Sequence, residues 1–182
     1  MGRNEQGHVN NVNYVRYAES ARVNWAKNIA FNIDPDHRQE WSDMYTSRGD
    51  GMILRSIRID YKFVMKPMTW PDRVTVFHKL QSAPSDDSDA FTLDVMILSE
   101  AHQRCAARCV EDIVVYDYRQ GRKTPLRPFM QDVFRDTFQQ QEGAKGRWSQ
   151  RVGSLINRVD QLEKASWKQD GAKEDLGSAS SP

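Results

Sequence analysis

Residues 7–14 read Gly7-His8-Val9-Asn10-Asn11-Val12-Asn13-Tyr14, directly ahead of an amphipathic helix pattern. A helix N-terminus carries unpaired backbone N–H groups and roughly half a positive charge. Such an end can hold a phosphate, or an oxygen that turns negative during acyl transfer. The backbone amides of Val9, Asn10 and Asn11 are the candidate anion donors. The competing reading is an ordinary helix start capped by Asn10 or Asn11. His8 would polarise a carbonyl or orient water, unless its ring only ties down the loop. Glu5 is a candidate base, against a plain solvated charge. Glu19 follows Asn11 by two helical turns, where it would reach the site of a second copy or stand in solvent. Tyr14 would line a substrate pocket or pack in the core.

A second group of chemistry-bearing residues comes late. Arg119, Arg122 and Lys123, with Arg127, form a basic cluster. It could meet phosphates by charge-assisted hydrogen bonds, or be a solvated basic turn. Other chemistries are excluded or unsupported. There is no Gly-x-Ser-x-Gly elbow, no P-loop and no dinucleotide fingerprint. His37, His78 and His102 fall in no nucleophile motif. Cys105 and Cys109 on one strand would lie ~13 Å apart, too far for a disulfide. They read as small buried side chains in a reducing compartment, and no metal site is supported.

The chain has 182 residues, with 26 Lys and Arg against 25 Asp and Glu. That balance sets up no field for nucleic acid. No apolar run reaches the ~18–20 residues that span a membrane. Gly2 is not a myristoylation start, because position 6 is Gln. A mean hydropathy of −0.76 points to solvated helix or tail at some part of the chain.

The elements that must position these residues follow from periodicity. Tyr14, Ala18, Ala21, Trp25 and Ile29 share one face of a helix from Asn11 to about Phe31. Residues 32–50 form a connection with a short helix around Gln39–Tyr45. Ile57, Ile59, Tyr61, Phe63 and Met65 alternate with polar residues as a first strand. Val74, Val76 and Leu80 mark a second strand, and Phe91, Leu93, Val95 and Ile97 a third. The fourth runs from about Arg104 to Tyr118. Short loops among the last three predict an antiparallel meander. Phe129, Met130, Val133, Phe134, Thr137 and Phe138 mark a second helix, which Gly143 and Gly146 are expected to interrupt. Trp148, Val152, Leu155, Val159 and Leu162 then form a heptad-like seam. Packing onto the chain's own domain and an intermolecular zipper are the two readings of that seam. Residues 168–182 read as a disordered tail. The fold class is α+β, with divisions 1–125, 126–167 and 168–182.

Gly7-His8-Val9-Asn10-Asn11, Tyr14, Tyr17, Glu19 and Ala21-Arg22 resemble the hotdog-fold acyl-CoA thioesterases of the 4-hydroxybenzoyl-CoA thioesterase type. The resemblance covers about residues 4–118. It implies an antiparallel sheet wrapped around one long helix, and a homodimer or homotetramer with active sites at the dimer interface. It further implies a thioester carbonyl aimed at the amides of the helix start, an acidic residue as base or nucleophile, and no cofactor beyond the CoA of the substrate. The family's Asp, three residues before the motif Gly, is Asn4 here, which neither accepts a proton at neutral pH nor attacks as a carboxylate. Glu5 stands beside it as a surrogate. Only six residues precede Gly7, fewer than the family's first strand and loop need, so the expectation is a longer parent protein or a missing edge strand. An upstream segment would decide between cytoplasmic and mitochondrial placement. The leading expectation is hydrolysis of a fatty or aromatic acyl-CoA. A catalytically impaired scaffold subunit acting through its C-terminal helices comes second, and a hotdog dehydratase third.

Overall fold

The computed structural model describes residues 8–62 and 68–166. Asn4, Glu5, Gly7, Phe63, Met65 and the tail from residue 168 lie outside the described residues. The elements are α1 (Asn11–Asn28), which continues into a π-helical turn (Ile29–Ile33), then a 3-10 turn (Pro35–His37) and α2 (Arg38–Asp43). β1 (Asp50–Tyr61), β2 (Val74–Leu80), β3 (Ala90–Ser99), β4 (Arg104–Asp117), β5 (Arg122–Lys123) and α3 (Pro128–Ser166) follow. Two compact units result, Met1–Gln139 and Gln140–Pro182. The first unit extends past residue 125 because the opening turns of α3 bury Met130 and Phe134 in its core.

The sheet order is β1-β4-β3-β2, all antiparallel, with β5 as a short hairpin on β4. The meander β2-β3-β4 is as expected from its short loops. β1 begins at Asp50, seven residues ahead of the first alternating residue. The reason is a bulge. Leu54 faces Ile113 and Ser56 faces Asp112, leaving Arg55 as the extra residue. A bulge adds one residue to one strand and flips the side-chain phase. Met52 and Leu54 therefore share the inner face with Ile57, Ile59 and Tyr61, although one set is even-numbered and the other odd. Arg55 uses the irregularity to donate from Nε and Nη2 to Asp112 Oδ2, at 2.8 and 2.6 Å.

α1 packs on the inner face through Tyr14, Ala18 and Ala26, all buried. Ala18 has no bulk to hold the helix off the sheet. Phe91, Leu93, Val95 and Ile97 of β3 alternate inward beneath it, with Ala107, Cys109, Ile113 and Val115 of β4 beside them. One end of this core is aromatic. Phe91 and Phe134 have ring centroids 4.7 Å apart, and Trp25 lies 5.8 Å from Phe134. Trp41 is fully buried and donates from its indole to Asp34 Oδ2 at 2.9 Å, so its one polar side-chain atom is satisfied.

α3 corrects one expectation. Gly143 and Gly146 do not interrupt it, and the helix runs unbroken for 39 residues. Each glycine costs a helix only about 1 kcal/mol relative to Ala. Strong helix formers flank both positions, and a Glu142–Lys145 ion pair at 3.1 Å spans the first.

Candidate active site

The start of α1 is built by two devices. Asn10 is extended (φ −63°, ψ 140°), and its side-chain oxygen accepts from the Val12 amide at 3.0 Å. Ahead of it, His8 and Thr69 form an isolated antiparallel bridge, and the Val9 amide donates to the Met68 carbonyl at 2.9 Å. The segment after β1 thus holds the motif like a short strand. Val9, expected as an anion donor, already spends its amide on Met68. For the amides of Asn10 and Asn11 there is no acceptor among the described residues. Those two N–H groups, at the positive end of an 18-residue helix, are the available anion donors.

Three tyrosines pack near this point. Tyr61, at the end of β1, donates its hydroxyl to the Asn11 carbonyl at 3.4 Å. Its ring meets Tyr14 edge-on at 5.3 Å, and Tyr14 meets Tyr17 at 6.3 Å. Burial pushes the Tyr14 phenol up to about 12, with the neighbouring Tyr17, Tyr61 and Asp72 adding to the rise. Tyr14 is therefore neutral at physiological pH and is a buried part of the core, not a base. Asp72 is fixed by Ser99 Oγ at 2.6 Å and the Ala101 amide at 3.0 Å. It lines an open recess of about 390 Å³ with Pro71, Arg73, Glu100 and Ala101.

The remaining expected residues fall in three places. Asn4 and Glu5 lie outside the described residues. His8 is half-buried and bridges Thr69 just ahead of α1. Glu19 is exposed on α1, ~12 Å along the axis from Asn11 at 1.5 Å per residue. The basic cluster is not brought to the helix start within one chain. Tyr61 pairs with Ala107, whereas Arg122 pairs with Asp117, ten residues further along β4 or ~33 Å. Arg122 and Lys123 are exposed on the β4-β5 hairpin, which turns at Gly121 with φ +65°. Lys123 pairs with Asp89 at 3.6 Å, and Arg119 with Asp117 at 3.6 Å. Arg119 also lines a groove of about 680 Å³ with Arg48, Asp50, Arg127 and Phe129. Asp50 there is ion-paired to Arg127.

One cluster went unexpected. Arg22 of α1 donates to Glu111 Oε1 at 2.6 Å, and His78 Nε2 lies 3.5 Å from Glu111 Oε2 without hydrogen-bond geometry. Side-chain exposures are 15% for Arg22, 1% for His78 and 0% for Glu111. Burial pushes the Glu111 carboxyl up, but His78 and Arg22 together outweigh it and hold the group below its ordinary value. The cluster ties α1 to β4 and, across β3, to β2. Its signal in the sequence is phase. His78 sits between Val76 and Leu80, and Glu111 between Cys109 and Ile113, on the apolar side of each strand. A charged residue at such a position must have a partner.

A family model described as the thioesterase-like superfamily matches residues 4–134. A thioesterase from Thermus thermophilus, solved with coenzyme A and zinc, is similar with a TM-score of 0.55 at 19% identity, over 74% of this chain and 84% of that one. A 1,4-dihydroxy-2-naphthoyl-CoA thioesterase from Synechocystis has a TM-score of 0.55 at 18% identity, over 73% and 87%. A DHNA-CoA thioesterase from Staphylococcus aureus has a TM-score of 0.56 at 14% identity, over 79% and 85%. At these identities the likeness shows the fold, which is the hotdog fold. A search of curated proteins gives no match.

Proposed function

Since the chain belongs to the thioesterase-like superfamily, we propose that it hydrolyses a fatty or aromatic acyl-CoA to the free acid and CoA. The observation that carries this is the pair of amides, Asn10 and Asn11, at the positive end of α1 beside the Tyr14 and Tyr61 rings. Water adds to the thioester carbonyl, whose oxygen becomes negative against those amides. The carbonyl re-forms as the C–S bond breaks, and the CoA thiolate leaves to take up a proton. One lost oxyanion donor costs roughly 2.7–4 kcal/mol in acyl transfer. The base that takes the water proton is Glu5, or Glu19 from a second copy. His8 orients the water. The chain acts as a homodimer or homotetramer, in which a second copy closes the open side of the site. The basic residues Arg119, Arg122 and Lys123 would reach CoA phosphates only from a second copy, since within one chain they lie at the far end of β4. No cofactor is required beyond the CoA carried by the substrate.

A second reading is a catalytically impaired subunit with a binding or scaffold role through its C-terminal helix. Asn4, at the position of the family's Asp, favours it. Thiol release from an acyl-CoA panel separates the two. Under the enzymatic reading, Asn4→Asp raises turnover by about 10² or more, and either Glu5→Gln or Glu19→Gln, whichever carries the base, lowers it by a similar factor. Absence of turnover in the native chain and in Asn4→Asp alike excludes the hydrolytic reading and favours the scaffold reading over it.

A further inference from the structure

We propose that residues 148–162 of α3 form a parallel two-stranded zipper with a second copy of this chain. This inference is independent of the active-site reading. Trp148, Val152, Leu155, Val159 and Leu162 recur at spacings of four, three, four and three. Together with Ile156, they are between 50% and 66% exposed. A helix that packs on a globular core shows a broad stripe of period 3.6, whereas a narrow stripe of period 3.5 fits a second helix. The stripe is ~21 Å long.

The occupant follows from the side chains. With Val152 and Val159 at the a positions, Leu155 and Leu162 fall at d. Beta-branched a with Leu at d is the combination that favours two parallel strands. Charge agrees with that direction. Arg158 stands at g and Glu163 at e of the next heptad, so a parallel pair sets each Arg158 against Glu163 of the other copy, twice by symmetry. An antiparallel pair that keeps the same apolar layers would set Arg158 against Arg158. Arg151, also at g, faces Ile156 of the other copy, where its methylene stem covers the apolar surface. Gly143, Gly146 and Gly153 all fall at outer positions f and b. An added Cβ meets nothing within 4 Å at Gly146 and Gly153. These glycines weaken a solitary helix, and a long solvated helix of such composition is marginal by itself. A copy laid along the seam supplies the missing stabilisation.

The test uses the full chain with single cysteines added at exposed positions. Leu155→Cys places two thiols across the d layer, within disulfide reach in a parallel pair. Gln150→Cys, at f, points outward. Under copper–phenanthroline oxidation, Leu155→Cys is expected to give covalent dimer at least ten times faster than Gln150→Cys, and the native chain none. Adding Leu162→Arg is expected to abolish the Leu155→Cys dimer. The unaltered chain offers an independent readout, because amide protection over residues 148–162 should fall on dilution. Equal rates at positions 150 and 155 would overturn the proposal. So would cross-linking of Leu155→Cys only when mixed with Val159→Cys, which assigns an antiparallel pair. Protection that ignores dilution, or that arises only with vesicles of phosphatidylserine and phosphatidylcholine, would overturn it as well.

Discussion

At the scale of single residues, the chain combines a polar helix start with a buried ionic cluster some eleven residues further along the same helix. Breaking a buried pair from one side strands a charge, which costs about 3–5 kcal/mol. Glu111→Ala should therefore destabilise the first unit by about that amount in denaturant unfolding. The acid limb has a definite sign. The folded-state value of Glu111 is lowered, so its contribution is complete above the ordinary carboxyl value of 4.5 and is lost as pH falls through the lowered value. Stability measured from pH 6 to pH 3 should fall less steeply in Glu111→Gln than in the native chain. A steeper fall in the variant would reverse the assignment. The start of α1 was legible because its cap, Asn10, and the helix it opens are neighbours in sequence. The Arg22–Glu111–His78 cluster was not, because its members lie 89 and 33 residues apart and meet only once β3 separates β2 from β4. The amide of Val9 was misjudged for a related reason, since its acceptor, Met68, arrives from beyond β1.

At the scale of elements, periodicity located α1, β2, β3 and β4 to within a few residues, because each keeps one phase along its length. It placed the start of β1 too late because the bulge at Arg55 breaks the alternation. It broke α3 at two glycines whose modest propensity cost the surrounding residues offset. That same cost is recoverable. Gly146→Ala and Gly153→Ala each meet open space, so each should stabilise the helix by about 1 kcal/mol. Helicity followed by circular dichroism on heating reads this directly. Gly51→Ala provides the contrast. Its Cβ would lie 2.6 Å from the Tyr118 ring and 3.3 Å from the Thr46 carbonyl. A loss of about 1–3 kcal/mol is expected there, and a neutral result would mean that the ring yields freely.

At the scale of the whole molecule, a hotdog unit carries the positive end of α1 close to Tyr14 and Tyr61, and the second unit carries an exposed apolar seam on its helix. Among the described residues, no helix is long and apolar enough to cross a membrane. The proposed hydrolysis depends on the helix-start amides, and one substitution removes an amide without disturbing the helix. Asn11 is the first helical residue, a position that welcomes proline, and Asn10 before it already has the extended conformation that proline requires. The decisive measurement is thiol release from fatty and aromatic acyl-CoA by the full chain and by Asn11→Pro, with folding of both checked by circular dichroism. The prediction is turnover of at least one acyl-CoA by the native chain and a loss of about 10²–10³ in kcat in the folded variant. Equal rates in the two proteins, or no thiol released by the native chain from any substrate, would contradict the account.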